Sequence, residues 1–118
     1  MILVRLIIAS LPEKQKEVLL TLISIMETGR SEKGCLSYDV FYDIEDSTVF
    51  NLIEEWELRE DLERHILSER FSILLGTKSL LSKPIKIIIH TVSSTEGEEV
   101  IKSVRGKIAG KIQYMKEA

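Results

Sequence analysis

The sequence predicts one α+β domain whose elements follow the order β-α-β-β-α-β, with an extra helix at the C-terminus. Three observations carry this reading. Residues 2–9 and 85–92 carry aliphatic residues on both faces, as in strands covered on both sides. Residues 35–42 and 48–56 alternate apolar and polar around the turn-forming residues 43–47, as a hairpin does. The stretches between them place apolar residues three and four apart, the helical period.

Each element has a local rationale. In the first strand Ile2, Val4, Leu6 and Ile8 share a face, and Arg5 interrupts the other. Ser10-Leu11-Pro12-Glu13 has the form of a capping box with an early proline. Val18, Leu19, Leu22, Ile25 and Met26 then follow at helical spacing as far as Gly29. Residues 30–34 are a polar loop. On the second strand Leu36, Tyr38, Val40 and Tyr42 are expected on one side; on the third, Phe50, Leu52, Glu54 and Trp56 share a face opposite Val49, Asn51, Ile53 and Glu55. A helical stripe of Leu58, Leu62, His65 and Ile66 comes next. Ser68 then caps a further helix through Leu81, bearing Phe71, Leu74, Leu75 and Lys78 on one side. Pro84 precedes the last strand. This order is the ferredoxin-like pattern.

At 118 residues the chain has room for one core. Sixteen Lys and Arg against nineteen Asp and Glu give a net charge of −3, which excludes the basic footprint of sequence-independent nucleic-acid binding. One cysteine and two histidines exclude an internal disulfide and the standard zinc spacings, so no metal is expected. The apolar opening lacks a basic flank and a cleavage site and is broken by Arg5, so a cytoplasmic protein without a membrane partner is expected. Residues 93–97 read as a linker and residues 98–115 as a helix, with Ile101, Val104, Ile108, Ile112 and Met115 spaced three or four apart. Two helices cover one face of a four-stranded sheet, while the outer strands are aliphatic on both. A second copy laid face to face is the expected cover, with the tail helix as competitor. The tail is expected to dock on the partner or on the outside of the dimer, because a solitary helix carrying Gly106 and Gly110 is marginal in water.

Gly34-Cys35-Leu36-Ser37-Tyr38, Glu54-Glu55-Trp56, His65 and Phe71 together resemble the antibiotic biosynthesis monooxygenase family of dimeric α/β barrels. The resemblance covers residues 1–92, leaving 93–118 as an appended linker and helix. It implies a homodimer and, as leading activity, cofactor-independent oxygenation of a small hydrophobic phenol or quinol. The alternative is a non-catalytic dimeric module that binds an apolar ligand or a protein. The family's haem-degrading branch is disfavoured. With the Trp56 regions in register, His65 stands where that branch has a helical Trp, Leu75 where it has the haem ligand, and Ile7 where it has an Asn.

Oxygenation without a cofactor needs an apolar cavity, a general base and donors that steady an anion. His65 and Glu54 are the candidate catalytic pair, with Trp56, Asn51, Tyr38 and Phe71 as candidate substrate contacts. Each also has a structural reading. His65 is either a base or a half-buried histidine bonded to a strand carboxylate. Glu54 either orients it or reaches water at the sheet edge. Trp56 is a platform for an aromatic ligand or a core residue, and Asn51 a cavity donor or a solvated hairpin residue. Tyr38 and Tyr42 line a cavity or pack across strands. Cys35 reads as a small core side chain, His90 as structural, and the charges of residues 57–64 and of Arg105, Lys107 and Lys111 as wet helix faces.

Overall fold

The structure is a computed structural model that describes residues 1–117, with side chains described through residue 107. β1 (Ile2–Ala9) lies at the centre of a four-stranded sheet. β3 (Val49–Trp56) and β4 (Lys86–Thr91) flank it, and β2 (Cys35–Tyr42) pairs outside β3. Every pair is antiparallel, in the order β2-β3-β1-β4. α1 (Gln15–Gly29), α2 (Arg59–Ile66) and α3 (Glu69–Leu75) precede α4 (Glu98–Glu117). This is the ferredoxin-like order, with its second helix broken in two.

The core forms on one sheet face. Ile2, Val4, Leu6 and Ile8 of β1 meet Phe50, Leu52 and Trp56 of β3 beneath Val18, Leu22 and Ile25 of α1, Leu62 of α2, and Phe71 and Leu74 of α3. Each such side chain contributes on the order of 1.5–3 kcal/mol by leaving water. Among the described residues no helix covers the opposite face, where Leu3, Ile7, Ile53 and Ile88 are half-buried around the exposed Arg5.

Several local expectations are corrected. Ser10 does not cap α1. It bridges to Leu81, and its hydroxyl donates to the Thr48 carbonyl at 3.2 Å, while the helix is entered through a 3-10 turn, Pro12–Lys14, that has no side-chain cap. A bulge between Cys35 and Ser37 makes Leu36 the extra residue, so Leu36 is exposed and Cys35 and Tyr38 share the core face. On α2, Leu58 and Ile66 are exposed and Asp61 is buried, contrary to the wet-face reading of that charge run.

Ser68 divides the helix that follows. It accepts the Phe71 N–H at 3.3 Å to cap α3 and donates to the His65 carbonyl at 2.6 Å to close α2. α3 ends at Leu75 and passes into a 3-10 turn, Gly76–Leu80, so Leu75 and Lys78 face solvent and Thr77 is buried instead. α4 forms as expected but does not dock on its own subunit at the described positions, because Ile101 and Val104 are exposed. The expected stripe residues Ile108, Ile112 and Met115 lie outside the described side chains.

Candidate functional site

The core face of β3 places Glu54 two residues before Trp56, and the register sets Tyr38 directly opposite Glu54. α2 lowers His65 onto this strip. The imidazole stacks on Trp56, with ring centres 4.8 Å apart, and meets Tyr38 and Phe71 edge-on at 5.6 Å each. Its plane is therefore fixed by three aromatic rings. Nδ1 lies 2.5 Å from Glu32 Oε2, and Nε2 lies 3.6 Å from Glu54 Oε1. With a carboxylate against it, Nδ1 carries a proton, and Nε2 faces the Glu54 carboxyl. Arg70 sits 3.5 Å from the other Glu32 oxygen, so Glu32 is held from both sides.

The inner side of the cluster is polar and under-satisfied. Trp56 Nε1–H donates to Glu54 Oε1 at 2.9 Å, but Tyr38 Oη, Glu54 Oε2 and His65 Nε2 are buried without hydrogen-bond partners. Such groups are uncommon inside proteins and mark strain or function. Burial pushes the Glu54 carboxyl above its ordinary value, against the opposing pull of His65 and the Trp56 and Tyr38 contacts. Tyr38 is pushed far up by burial and then by Glu54, so its phenol stays protonated. The Cys35 thiol is pushed up to about 11, mainly by burial and then by Glu54 and Glu32, which excludes a resting thiolate.

The raised Glu54 value has a measurable consequence. A folded state that holds this proton more tightly than the unfolded chain gains stability that is full below the ordinary value of 4.5 and is lost as pH rises through the folded value. Glu54→Gln keeps an acceptor for Trp56 and removes the titration. Its stability relative to wild type, followed by urea unfolding across a pH series, should increase as pH rises above that ordinary value. A constant difference at all pH values would show that Glu54 titrates normally.

Of the residues singled out in the sequence, His65, Glu54, Trp56, Tyr38 and Phe71 come together. Asn51 does not join them. It lies on the opposite sheet face, paired with Ile7 and Phe41. Tyr42 and His90 are exposed. Glu32, Arg70 and Asp61 are the polar residues that the sequence reading missed. Glu32 stands two residues before Gly34 in a charged loop, and nothing local ties it to a histidine 33 positions away.

The cluster is closed: His65 is 1% exposed, while Tyr38, Glu54 and Trp56 are fully buried. Two surface grooves lie elsewhere. One of about 480 Å³ runs between α1 and α3, lined by Leu20, Ile25, Ile73 and Arg70 among others. A second of about 190 Å³ lies beside β4 among Leu75, Lys78, Leu81 and Ile87. His65, Glu54, Trp56, Tyr38 and Phe71 line neither, and only Arg70, which holds Glu32, reaches the first.

Comparison with known proteins identifies the fold and the family. Residues 1–72 match the family model described as antibiotic biosynthesis monooxygenase. The uncharacterized protein sll1783 of Synechocystis is 30% identical over 86 residues, which is 72% of this chain and 58% of that protein's length. The crystal structure of an antibiotic biosynthesis monooxygenase superposes with a TM-score of 0.74 at 28% identity, covering 80% of this chain and all of that one. PA3566 from Pseudomonas aeruginosa gives a TM-score of 0.72 at 30% identity, covering 79% of this chain and 94% of its own. By sequence and by fold, the chain belongs to the antibiotic biosynthesis monooxygenase family.

Proposed function

We propose that the protein is a cofactor-independent monooxygenase acting on a small hydrophobic phenol or quinol. The observation that carries this reading is the buried set Tyr38 Oη, Glu54 Oε2 and His65 Nε2, three polar atoms that make no well-formed hydrogen bond. His65 Nε2 is the general base that takes the phenolic proton, Glu54 orients the imidazole, and the protonated Tyr38 hydroxyl donates a hydrogen bond to the resulting oxyanion. The anion passes one electron to O₂, and the superoxide formed recombines at ring carbon as a peroxide. Loss of water then leaves one oxygen atom in a quinone, so that one quinol and one O₂ give one hydroxyquinone and one water. Trp56 holds the substrate ring. Phe71, at 8% exposure the least buried ring of the cluster, completes the aromatic wall beside His65.

The uncovered sheet face supports a further part of the reading, a second copy packed against Leu3, Ile7, Ile53 and Ile88. Residues 1–92 are then the catalytic domain and 93–118 an appendage. The complete burial of the cluster favours a second reading, a dimeric binding module in which these rings are simply core.

Oxygen uptake with 1,4-dihydroxynaphthalene, in the presence of chelator and without flavin, separates the two. The enzyme should form 2-hydroxy-1,4-naphthoquinone faster than buffer, with one oxygen derived from labelled O₂. His65→Ala should slow this by about 100-fold or more, while its circular dichroism stays that of the folded protein. No rate above buffer across a panel of phenols and quinols would support the module. Undiminished turnover in a folded His65→Ala variant would remove His65 as the base.

A further inference from the structure

α4 has two properties that the rest of the chain does not use. Among its described side chains Ile101 and Val104 stand in the open, 59% and 49% exposed. Its charge is also opposite to that of the body. α4 holds five Lys and Arg against Glu98, Glu99 and Glu117, a net charge of +2, whereas residues 1–97 hold eleven Lys and Arg against sixteen Asp and Glu.

The placement of these cations narrows what the helix meets. At 100° per residue, Arg105 borders the Ile101–Val104 stripe on one side and Lys107 borders it on the other, while Lys102 lies farther round and pairs with Glu98 at 3.3 Å. All three are exposed. The sequence continues the pattern, with apolar residues at 108, 112 and 115 and lysines at 111 and 116. An apolar stripe edged on both sides by Lys and Arg suits a helix lying in the plane of a lipid surface. The aliphatic stems lie along the acyl boundary and the charged heads reach anionic headgroups. A protein groove of this same chain is a poorer fit: the lining of the two described on the helical side carries Lys78 in one and the Glu32-paired Arg70 in the other, with no carboxylate for a basic helix.

We infer that α4 is an interfacial helix that docks the protein on an anionic membrane surface. The acidic body is repelled by that surface and stands off on the linker of residues 92–97. No helix among the described residues is long and apolar enough to cross a membrane, and surface attachment requires none. The inference is independent of the proposed oxygenase activity.

Co-sedimentation of the full chain with vesicles tests it. Phosphatidylcholine vesicles containing about one third phosphatidylglycerol should bind the protein, and pure phosphatidylcholine should bind it far less. Raising ionic strength from about 0.1 M to about 0.5 M should release it. Each cation near such a surface contributes about a fivefold effect, so Lys102→Gln, Arg105→Gln and Lys107→Gln combined should weaken binding about 100-fold. Ile101→Asp with Val104→Asp should abolish it. These side chains are exposed, so both variants should melt as wild type does. Absence of preference for anionic vesicles overturns the inference. So does a wild type that stays in the supernatant while Ile101→Asp/Val104→Asp lowers its light-scattering mass, an outcome that assigns α4 to a second copy.

Discussion

Gly34→Ala should destabilise the fold by about 3–5 kcal/mol, near the upper end of what single substitutions do. Gly34 has φ +81°, the one positive φ among the described residues, and alanine there is strained by the clash of its Cβ with the backbone. The added Cβ would also lie 2.0 Å from the Asp61 carboxyl carbon and oxygen. Asp61 is not free to move aside. It accepts the Leu58 N–H at 3.1 Å at the start of α2 and is bonded by Arg64 at 3.0 Å. Displacing it uncaps the helix that carries His65, which costs about 1 kcal/mol on its own. Gly76→Ala is the control, because nothing lies within 4 Å of its added Cβ and its φ is −69°. Urea unfolding should show the control near wild type or slightly more stable. A Gly34→Ala variant within about 1 kcal/mol of wild type would contradict this account of the loop.

The strands were legible because a period of two survives in a one-dimensional pattern. The third strand is the clearest case: its Phe50-Leu52-Glu54-Trp56 face is the buried face, with the carboxylate included. What was illegible has a different physical origin in each place. The bulge at Leu36 adds one residue to β2, which shifts the pairing while leaving the composition of the run unchanged. The break at Ser68 depends on one hydroxyl serving two helices, which periodicity cannot register. On α2 an aspartate took the buried position that hydrophobicity assigns to Leu58 or Ile66, because its carboxylate caps the helix N-terminus.

The site divides along the same line. Its ring residues and Glu54 could be found because they lie on element faces whose direction follows from period. Glu32 could not, because a loop carboxylate becomes a histidine partner only when α2 descends on β2. Its position beneath His65 also explains how a buried imidazole is tolerated: Arg70 offsets the Glu32 charge from outside, and Glu32 satisfies Nδ1. The unsatisfied atoms are thereby confined to the Nε2 side. There the proposed chemistry has a use for them.

Trp56→Ala should cost about 3–5 kcal/mol, the range for deleting a fully buried large aromatic side chain. Trp56→Phe separates the two roles of the indole. Phenylalanine retains a ring for His65 to stack on, 4.8 Å away in the native protein, but removes the N–H that Glu54 Oε1 accepts at 2.9 Å. Leaving that carboxyl oxygen without its donor should cost about 1–3 kcal/mol. The loss should also depend on pH in a determined direction. The Trp56 contact is one of the influences that hold the Glu54 value down, so without it burial pushes that value higher still. Below the ordinary value of 4.5 Glu54 is protonated in folded and unfolded chains alike, and the deficit of Trp56→Phe is then smallest. As pH rises, ionising Glu54 costs the variant more than the wild type, so its deficit in urea-derived stability should widen. It should level off once pH has passed the folded value in both proteins. A deficit that stays constant through the whole series would mean that the indole N–H is not what holds Glu54 in place. The cluster would then be an aromatic core with a bystander carboxyl, and Glu54 would lose its place in the proposed chemistry.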